Sequence, residues 1–367
     1  MNVFQILGYK DADIEERLQS MWDTIFSARN TGHFYFETSD GSSYIEDTGN
    51  EDVRTEGMSY GMMMAVQMNR KDIFDRLWTW SRKWMYIDSG EYEGFFRWSC
   101  TPDGTKNSDG PAPDGEEYYA MALFFASDRW GDGDGIFDYS REAKAILYAA
   151  VYGKHPMWNT GNYLIRFVPD SSFTDPSYHL PHFYEQFACH VEPEHKQFWI
   201  NAARASREYL LASCHSVTGL APEYAKYDGS PLPIRIHGTF YSDSYRVAAN
   251  IGLDSLWGGV HPELSRSIEK QLRFFDSKTL DDLMDYHIDG RPCKRRAKHP
   301  VGLIATIAES TLALFCNDTM TDEQRNLSSR AVKRFWETPP RTGKRRYYDN
   351  CLYFFALLAL SGQYKIY

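Results

Sequence analysis

The chain has 367 residues, 40 Lys+Arg against 50 Asp+Glu for a net charge of −10, and 43% apolar and 16% aromatic content. So much aromatic surface excludes a disordered chain, and the length allows a large core without disulfide or metal staples. The acidic balance excludes nucleic acid and anionic membrane as main partners, since both are held through clusters of Lys and Arg.

The only basic runs, Lys294-Arg295-Arg296 with Lys298 and Lys344-Arg345-Arg346, read as solvated turns. Six cysteines stand 23 to 89 residues apart with no C-x-x-C, which excludes a zinc ribbon or a dithiol redox motif; they read as reduced thiols, mostly in cores. The N-terminus shows no signal-peptide pattern, and no apolar run is long enough to span a bilayer. A cytoplasmic monomer without metal or cofactor is the expectation.

The apolar period predicts helices over residues 11–29, 55–69, 71–87, 114–129, 138–152, 180–191, 194–214, 241–256, 261–277, 301–315, 322–336 and 348–361, with very little strand signal. Their character alternates. The second, fourth, tenth and twelfth are apolar nearly all round, as in Leu303, Ile304, Ile307, Leu312 and Leu314. The first, third, seventh, ninth and eleventh carry a charged face, as in Asp322-Glu323-Gln324-Arg325. A helix apolar all round is buried, and one with an apolar stripe covers it. The pattern predicts an all-α fold, an (α/α)6 barrel of six inner and six outer helices forming one domain over residues 1–367.

In such a double ring the inner helices run the same way, so the loops before them gather at one mouth. Those loops, 39–54, 90–113, 153–179, 219–240 and 279–300, are the long, irregular ones, whereas the loops leaving the inner helices are short. Long loops gathered on a rigid scaffold are where binding and catalysis are housed.

Three acidic residues stand at the mouth, at the start of an inner helix: Glu56, Asp114 and Asp243. Any one alone reads equally as a helix cap or first-turn acid. Together they offer what glycoside hydrolysis needs, two carboxyl groups across one sugar, one protonated and one ionised. Trp78, Trp80, Trp84, Tyr92, Phe95, Phe96 and Trp98, with Trp158, Tyr163 and Phe167 later, supply rings that can stack on sugar faces, although more than half of them read as ordinary core. A metal reading of His179, His182 and Glu185 is weak, because Pro181 breaks the register and the H-E-x-x-H signature is absent. Asp132-Gly133-Asp134-Gly135 with Asp138 lacks the final Glu of a calcium loop and reads as a turn.

At these residues the chain resembles glycoside hydrolase family 8. Ala112-Pro113-Asp114-Gly115-Glu116-Glu117-Tyr118-Tyr119-Ala120-Met121-Ala122 is similar to the family signature, departing from it at Pro113, Glu116 and Tyr119. The stretch around Glu56 resembles the family's catalytic-acid motif. Asp243-Ser244-Tyr245-Arg246 resembles its D-x-x-R segment, where the base of one large branch sits. The resemblance implies inverting hydrolysis with Glu56 as general acid and Asp243 as general base, Asp114 binding the sugar at the cleaved position and also rivalling Asp243 as base, and Arg246 at the substrate.

Within the family, the group that releases xylose from the reducing end of β-1,4-xylo-oligosaccharides is the nearest resemblance. There a His-Pro entering the tenth helix blocks the cleft beyond one sugar; here Lys298-His299-Pro300 opens that helix, and His299 is expected on the terminal sugar's hydroxyl. A tyrosine that holds the attacking water in that group looks equivalent to Tyr184. The competing readings are an endo-acting family 8 hydrolase on xylan or β-glucan, a double-ring epimerase or uronyl hydrolase, and a non-catalytic helical toroid that binds carbohydrate. Turnover of xylotriose but not of its alditol separates the first reading from these.

Overall fold

The structure, a computed structural model, describes residues 1–367. The helices are α1 Val3–Ile6, α2 Asp11–Phe26, α3 Thr55–Gln67, α4 Lys71–Trp80, α5 Pro113–Trp130, α6 Tyr139–Tyr152 and α7 Pro181–His190. They continue with α8 Pro193–Ser213, α9 Tyr245–Trp257, α10 Pro262–Phe275, α11 Pro300–Ser310, α12 Leu312–Phe315, α13 Asp322–Glu337 and α14 Arg346–Leu360. Proline opens α5, α7, α8, α10 and α11, where its fixed φ suits the first turn and its missing N–H costs nothing.

All twelve expected helices are present, with three local differences. The first ends at Phe26, where Ser27 turns extended. The third passes after Trp80 into a π-turn over Ser81–Met85, where the Ser81 hydroxyl bonds back to the Leu77 carbonyl at 3.0 Å. The tenth breaks at Thr311, whose amide and hydroxyl both turn back to the Ala308 carbonyl, so its end is the separate α12. Helix α1 was not anticipated.

Six helices, α3, α5, α7, α9, α11 and α14, pack each on the next, and α14 closes back on α3. Outside them α4 covers α3, α6 covers α5, α8 covers α7, α10 covers α9, α13 covers α11 and α2 covers α14. This is the (α/α)6 barrel that the alternation predicts. The cause is visible in burial: every residue of α14 from Tyr347 to Leu360 is buried, whereas α10 buries only a stripe through Leu264, Ile268, Leu272 and Phe275. The buried apolar residues form one cluster running from Val3 to Tyr364, with only a three-residue satellite of Leu164, Tyr209 and Ala225.

The mouth loops carry short antiparallel ribbons, β1 Tyr35–Glu37 with β2 Ser43–Ile45, β3 Val53–Arg54 with β4 Ser99–Cys100, β5 Trp158–Asn159 with β6 Leu164–Ile165, and β7 Met284–Tyr286 with β8 Pro292–Arg296. Runs of two to five residues are too short to show a period of two in sequence.

Other sequence features find structural uses. Asp132 accepts from the Ser140 amide at 2.9 Å and Asp138 caps α6, so the acidic stretch is the turn between α5 and α6. Arg295 pairs with the buried Asp285, Lys344 with Glu51, and Arg346 binds the Gly32 and His33 carbonyls, which accounts for much of both basic runs. Only Cys100 and Cys351 are fully buried, Cys189 is exposed and the other three lie between, so the expectation of mostly core thiols is corrected. No helix is long and apolar enough to cross a membrane.

Candidate active site

First-turn residues of the inner helices meet at one end of the barrel, which is how the ring brings together acids far apart in sequence. Arg246, in the first turn of α9, is 5% exposed and lies at the centre. Its Nη1 donates to Glu56 Oε2 at 3.3 Å, Asp114 Oδ2 at 3.3 Å and the Tyr60 hydroxyl at 2.8 Å. Its Nη2 donates to Ser177 Oγ at 2.9 Å and stands 3.7 Å from Asp243 Oδ2. The three acids singled out in sequence thus converge on one guanidinium.

Two glycines let the helix starts come this close. A Cβ on Gly115 would sit 2.3 Å from Thr55 Oγ1, and one on Gly57 2.8 Å from the Tyr347 hydroxyl. The residues following Asp114 and Glu56 therefore have no room for a side chain.

Glu56 accepts from the Tyr347 hydroxyl at 2.8 Å, at the start of α14. Burial raises its pKa from the ordinary 4.5 to about 8, with Asp114 and Asp243 adding to the rise and Arg246 opposing it. A helix N-terminus favours the anion, and here desolvation outweighs it, so the carboxyl keeps its proton at neutral pH. Burial likewise raises Asp114, with Asp243 adding to it, against the pull of Arg246 and a bond from the Gly115 amide at 3.0 Å. Asp243 keeps a third of its side chain exposed and follows Ser242, which is held at φ 40°.

Two cavities flank the pair, and Glu56, Asp243 and Arg54 line both. One, of about 170 Å³, is bounded by Asn50, Lys298, His299, Arg345, Tyr347 and Tyr348. The other, of about 350 Å³, is bounded by Trp98, Asp114, Phe167, Tyr178 and Tyr224. His299 Nδ1 lies 2.8 Å from Asp349 Oδ2, and Asp349, fully buried, also accepts from the Gly302 amide and Arg341. The Asp349 carboxylate accepts a hydrogen bond from Nδ1, which fixes the ring with Nε2 turned away from it.

Residues 33–360 match the family description "Glycosyl hydrolases family 8". The chain belongs to glycosyl hydrolase family 8. It is 54% identical to a reducing end xylose-releasing exo-oligoxylanase of Halalkalibacterium halodurans over 100% of this chain and 94% of that protein. It is 50% identical to a reducing-end xylose-releasing exo-oligoxylanase of Paenibacillus barcinonensis over 100% of this chain and 96% of that protein. A crystal structure of such an exo-oligoxylanase, with one glutamate replaced by alanine and xylobiose bound, superposes with a TM-score of 0.95 at 54% identity over 100% and 96% of the two chains.

In this family 8 hydrolase two residues expected at the substrate lie outside the lining of both cavities. Tyr184 is fully buried, and its hydroxyl donates to Glu117 at 2.5 Å and lies 3.0 Å from the Tyr178 carbonyl, so it lines neither cavity. The tyrosines that line the larger cavity with Asp243 are Tyr178, six residues earlier and just before α7, and Tyr224. Arg246 likewise lines neither cavity, and both terminal nitrogens meet protein groups, which places its positive charge beneath the acids.

Of the aromatic residues, Trp98 and Phe167 line the larger cavity, while Trp78, Trp80, Phe95, Phe96 and Trp158 are core. His179 is held by Thr174 and Ser206, and Glu185 is paired with Arg207 at 2.5 Å, so those residues do not converge on a metal. Glu223, which sequence reading passed over, accepts from the Asp243 amide at 3.2 Å. No spacing could have found it, because it stands in a mouth loop whose path only the fold defines.

Proposed function

We propose that the chain removes xylose from the reducing end of β-1,4-xylo-oligosaccharides with inversion of configuration, as one catalytic unit spanning residues 1–367. The observation that carries this reading is the pair of unequal cavities on either side of Glu56 and Asp243. The smaller, of about 170 Å³, is half the volume of the larger, and His299 lies in its wall. The larger is lined by Trp98, Phe167, Tyr178 and Tyr224, rings suited to stacking on the sugars of the other end. An endo-acting enzyme needs room for several sugars on both sides.

Glu56, protonated, gives its proton to the glycosidic oxygen as the bond to the departing xylose breaks. Asp243 takes a proton from a water, whose oxygen attacks the anomeric carbon from the opposite face. Tyr178, lining the cavity with Asp243, orients that water, the role that sequence reading gave to Tyr184. Asp114 hydrogen-bonds the hydroxyls of the distorted sugar at the cleaved bond. His299 hydrogen-bonds the hydroxyl at the reducing end through Nε2. The named activity of the two relatives supports this reading, as do the solved exo-oligoxylanase structures with xylose and with xylobiose.

The test is incubation with xylotriose and with its borohydride-reduced alditol. Xylose and xylobiose from the first, and nothing from the second, is the expected result. Equal cleavage of both would discard the reducing-end reading.

A further inference from the structure

We infer that Glu223 and His237 form a positioning clamp on Asp243, Glu223 holding the backbone amide of the base and His237 holding Glu223. The inference rests on Asp243 being the base.

The Asp243 amide belongs to a single 3₁₀ turn, Ser242–Ser244, and has no backbone acceptor of its own. Glu223 Oε1 supplies one at 3.2 Å. Its other oxygen meets His237 Nδ1, and the His237 ring stacks on Tyr224 at 4.3 Å and 12°. The loop is tied at its ends, the Glu223 amide to the Thr239 carbonyl at 2.9 Å and the Tyr224 amide to the His237 carbonyl at 2.7 Å. The carboxyl is therefore clamped from both sides and only 4% exposed. On the far side the chain enters Asp243 through the strained Ser242, a conformation that persists only where its surroundings impose it.

The charge state follows from what surrounds the carboxyl. Asp243 and the buried Asp175 face it with negative charge, Arg246 and Lys298 with positive charge, and His237 at hydrogen-bond distance. Burial and then Asp243 raise Glu223 to about 9, while burial lowers His237. The proton accordingly stays on Glu223, which donates a hydrogen bond to the neutral imidazole. An ionised Glu223 would repel the charge on Asp243 and raise the pH at which the base becomes active.

The experiment compares Glu223→Gln with Glu223→Ala on xylotriose. Glutamine keeps an oxygen for the Asp243 amide, an N–H for His237 and zero charge, so its kcat stays within about threefold of wild type and the acid limb of the pH profile stays in place. Alanine frees the base, and kcat falls about 100-fold with KM little changed. Glu223→Ala at wild-type kcat would overturn the proposal. So would Glu223→Gln as damaged as the alanine variant, and if azide restored it, Glu223 would itself be the base. Asp243→Gly, run alongside with azide, tests the underlying assignment: absence of rescue there removes Asp243 as base whatever Glu223 does. Should the alanine variant fail to fold, the glutamine variant still decides through its kcat and acid limb.

Discussion

Replacing Glu56 by glutamine keeps the side chain's shape and removes the proton that the glycosidic oxygen needs. In the folded chain burial, with Asp114 and Asp243, raises the Glu56 carboxyl from 4.5 to about 8 against the pull of Arg246. A carboxyl whose folded pKa lies above its unfolded one binds more protons in the native state between the two values. Stability therefore falls as pH climbs from about 4.5 to about 8 and is unaffected by this group outside that window. At about 1.36 kcal/mol per pH unit, the wild type has given up roughly 3 kcal/mol by pH 7, a loss that the glutamine variant does not suffer. That figure is an upper bound, since the side chain is 14% exposed and solvent screens part of the penalty. With an unfolding entropy of about 2.1 cal/mol/K per residue, each kcal/mol moves the Tm of a chain this size by about 1.3 °C. The variant should melt up to ~4 °C above wild type at pH 7 and level with it near pH 4. Its kcat on xylotriose should fall about 10²- to 10⁴-fold, and in the wild type activity should decline as pH rises past about 8. Scanning calorimetry from pH 4 to 8 beside initial rates measures all three. A kcat within about threefold of wild type would remove Glu56 as the acid. A Tm difference that does not grow with pH would refute the claim that the fold holds this carboxyl protonated.

Three further outcomes follow from the same geometry. Asp243→Gly should lose nearly all activity and regain part of it with azide, whereas Asp114→Asn should be impaired without rescue; rescue of the Asp114 variant alone would exchange their roles. His299→Ala should cut the preference for xylotriose over its alditol by about 10²-fold or more, read as a ratio of kcat/KM values, and an unchanged ratio would place His299 outside the sugar's reach. Tyr178→Phe should lower kcat about tenfold or more with little effect on stability. Tyr184→Phe should do the reverse, costing about 1–3 kcal/mol by leaving the buried Glu117 without its donor, as thermal melts beside kinetics would reveal.

The amino-acid sequence alone determined the double ring, because inner and outer helices differ in a property that composition records directly: α11 and α14 are apolar all round, α10 and α13 on one stripe. It also singled out three acids that the fold brings together, since Glu56, Asp114 and Asp243 each stand at the entry to an inner helix and the ring gathers those entries at one end. Their neighbouring glycines, Gly57 and Gly115, were legible as residues but not as the close approaches they permit.

What only the tertiary structure decided are the relations between side chains on different helices. A one-dimensional motif places Tyr184 near the site, yet the helix turns its hydroxyl inward to Glu117 and presents Tyr178 from the preceding turn instead. Arg246 reads in sequence as a residue near substrate, and its positive charge lies beneath the acids because three acids from α3, α5 and the entry to α9 meet on its guanidinium. Glu223 carries no signal at all until the loop folds it beneath the Asp243 amide. The protonation of Glu56 likewise lies beyond sequence, because desolvation is a property of what surrounds a group, and here those surroundings come from distant segments of the chain.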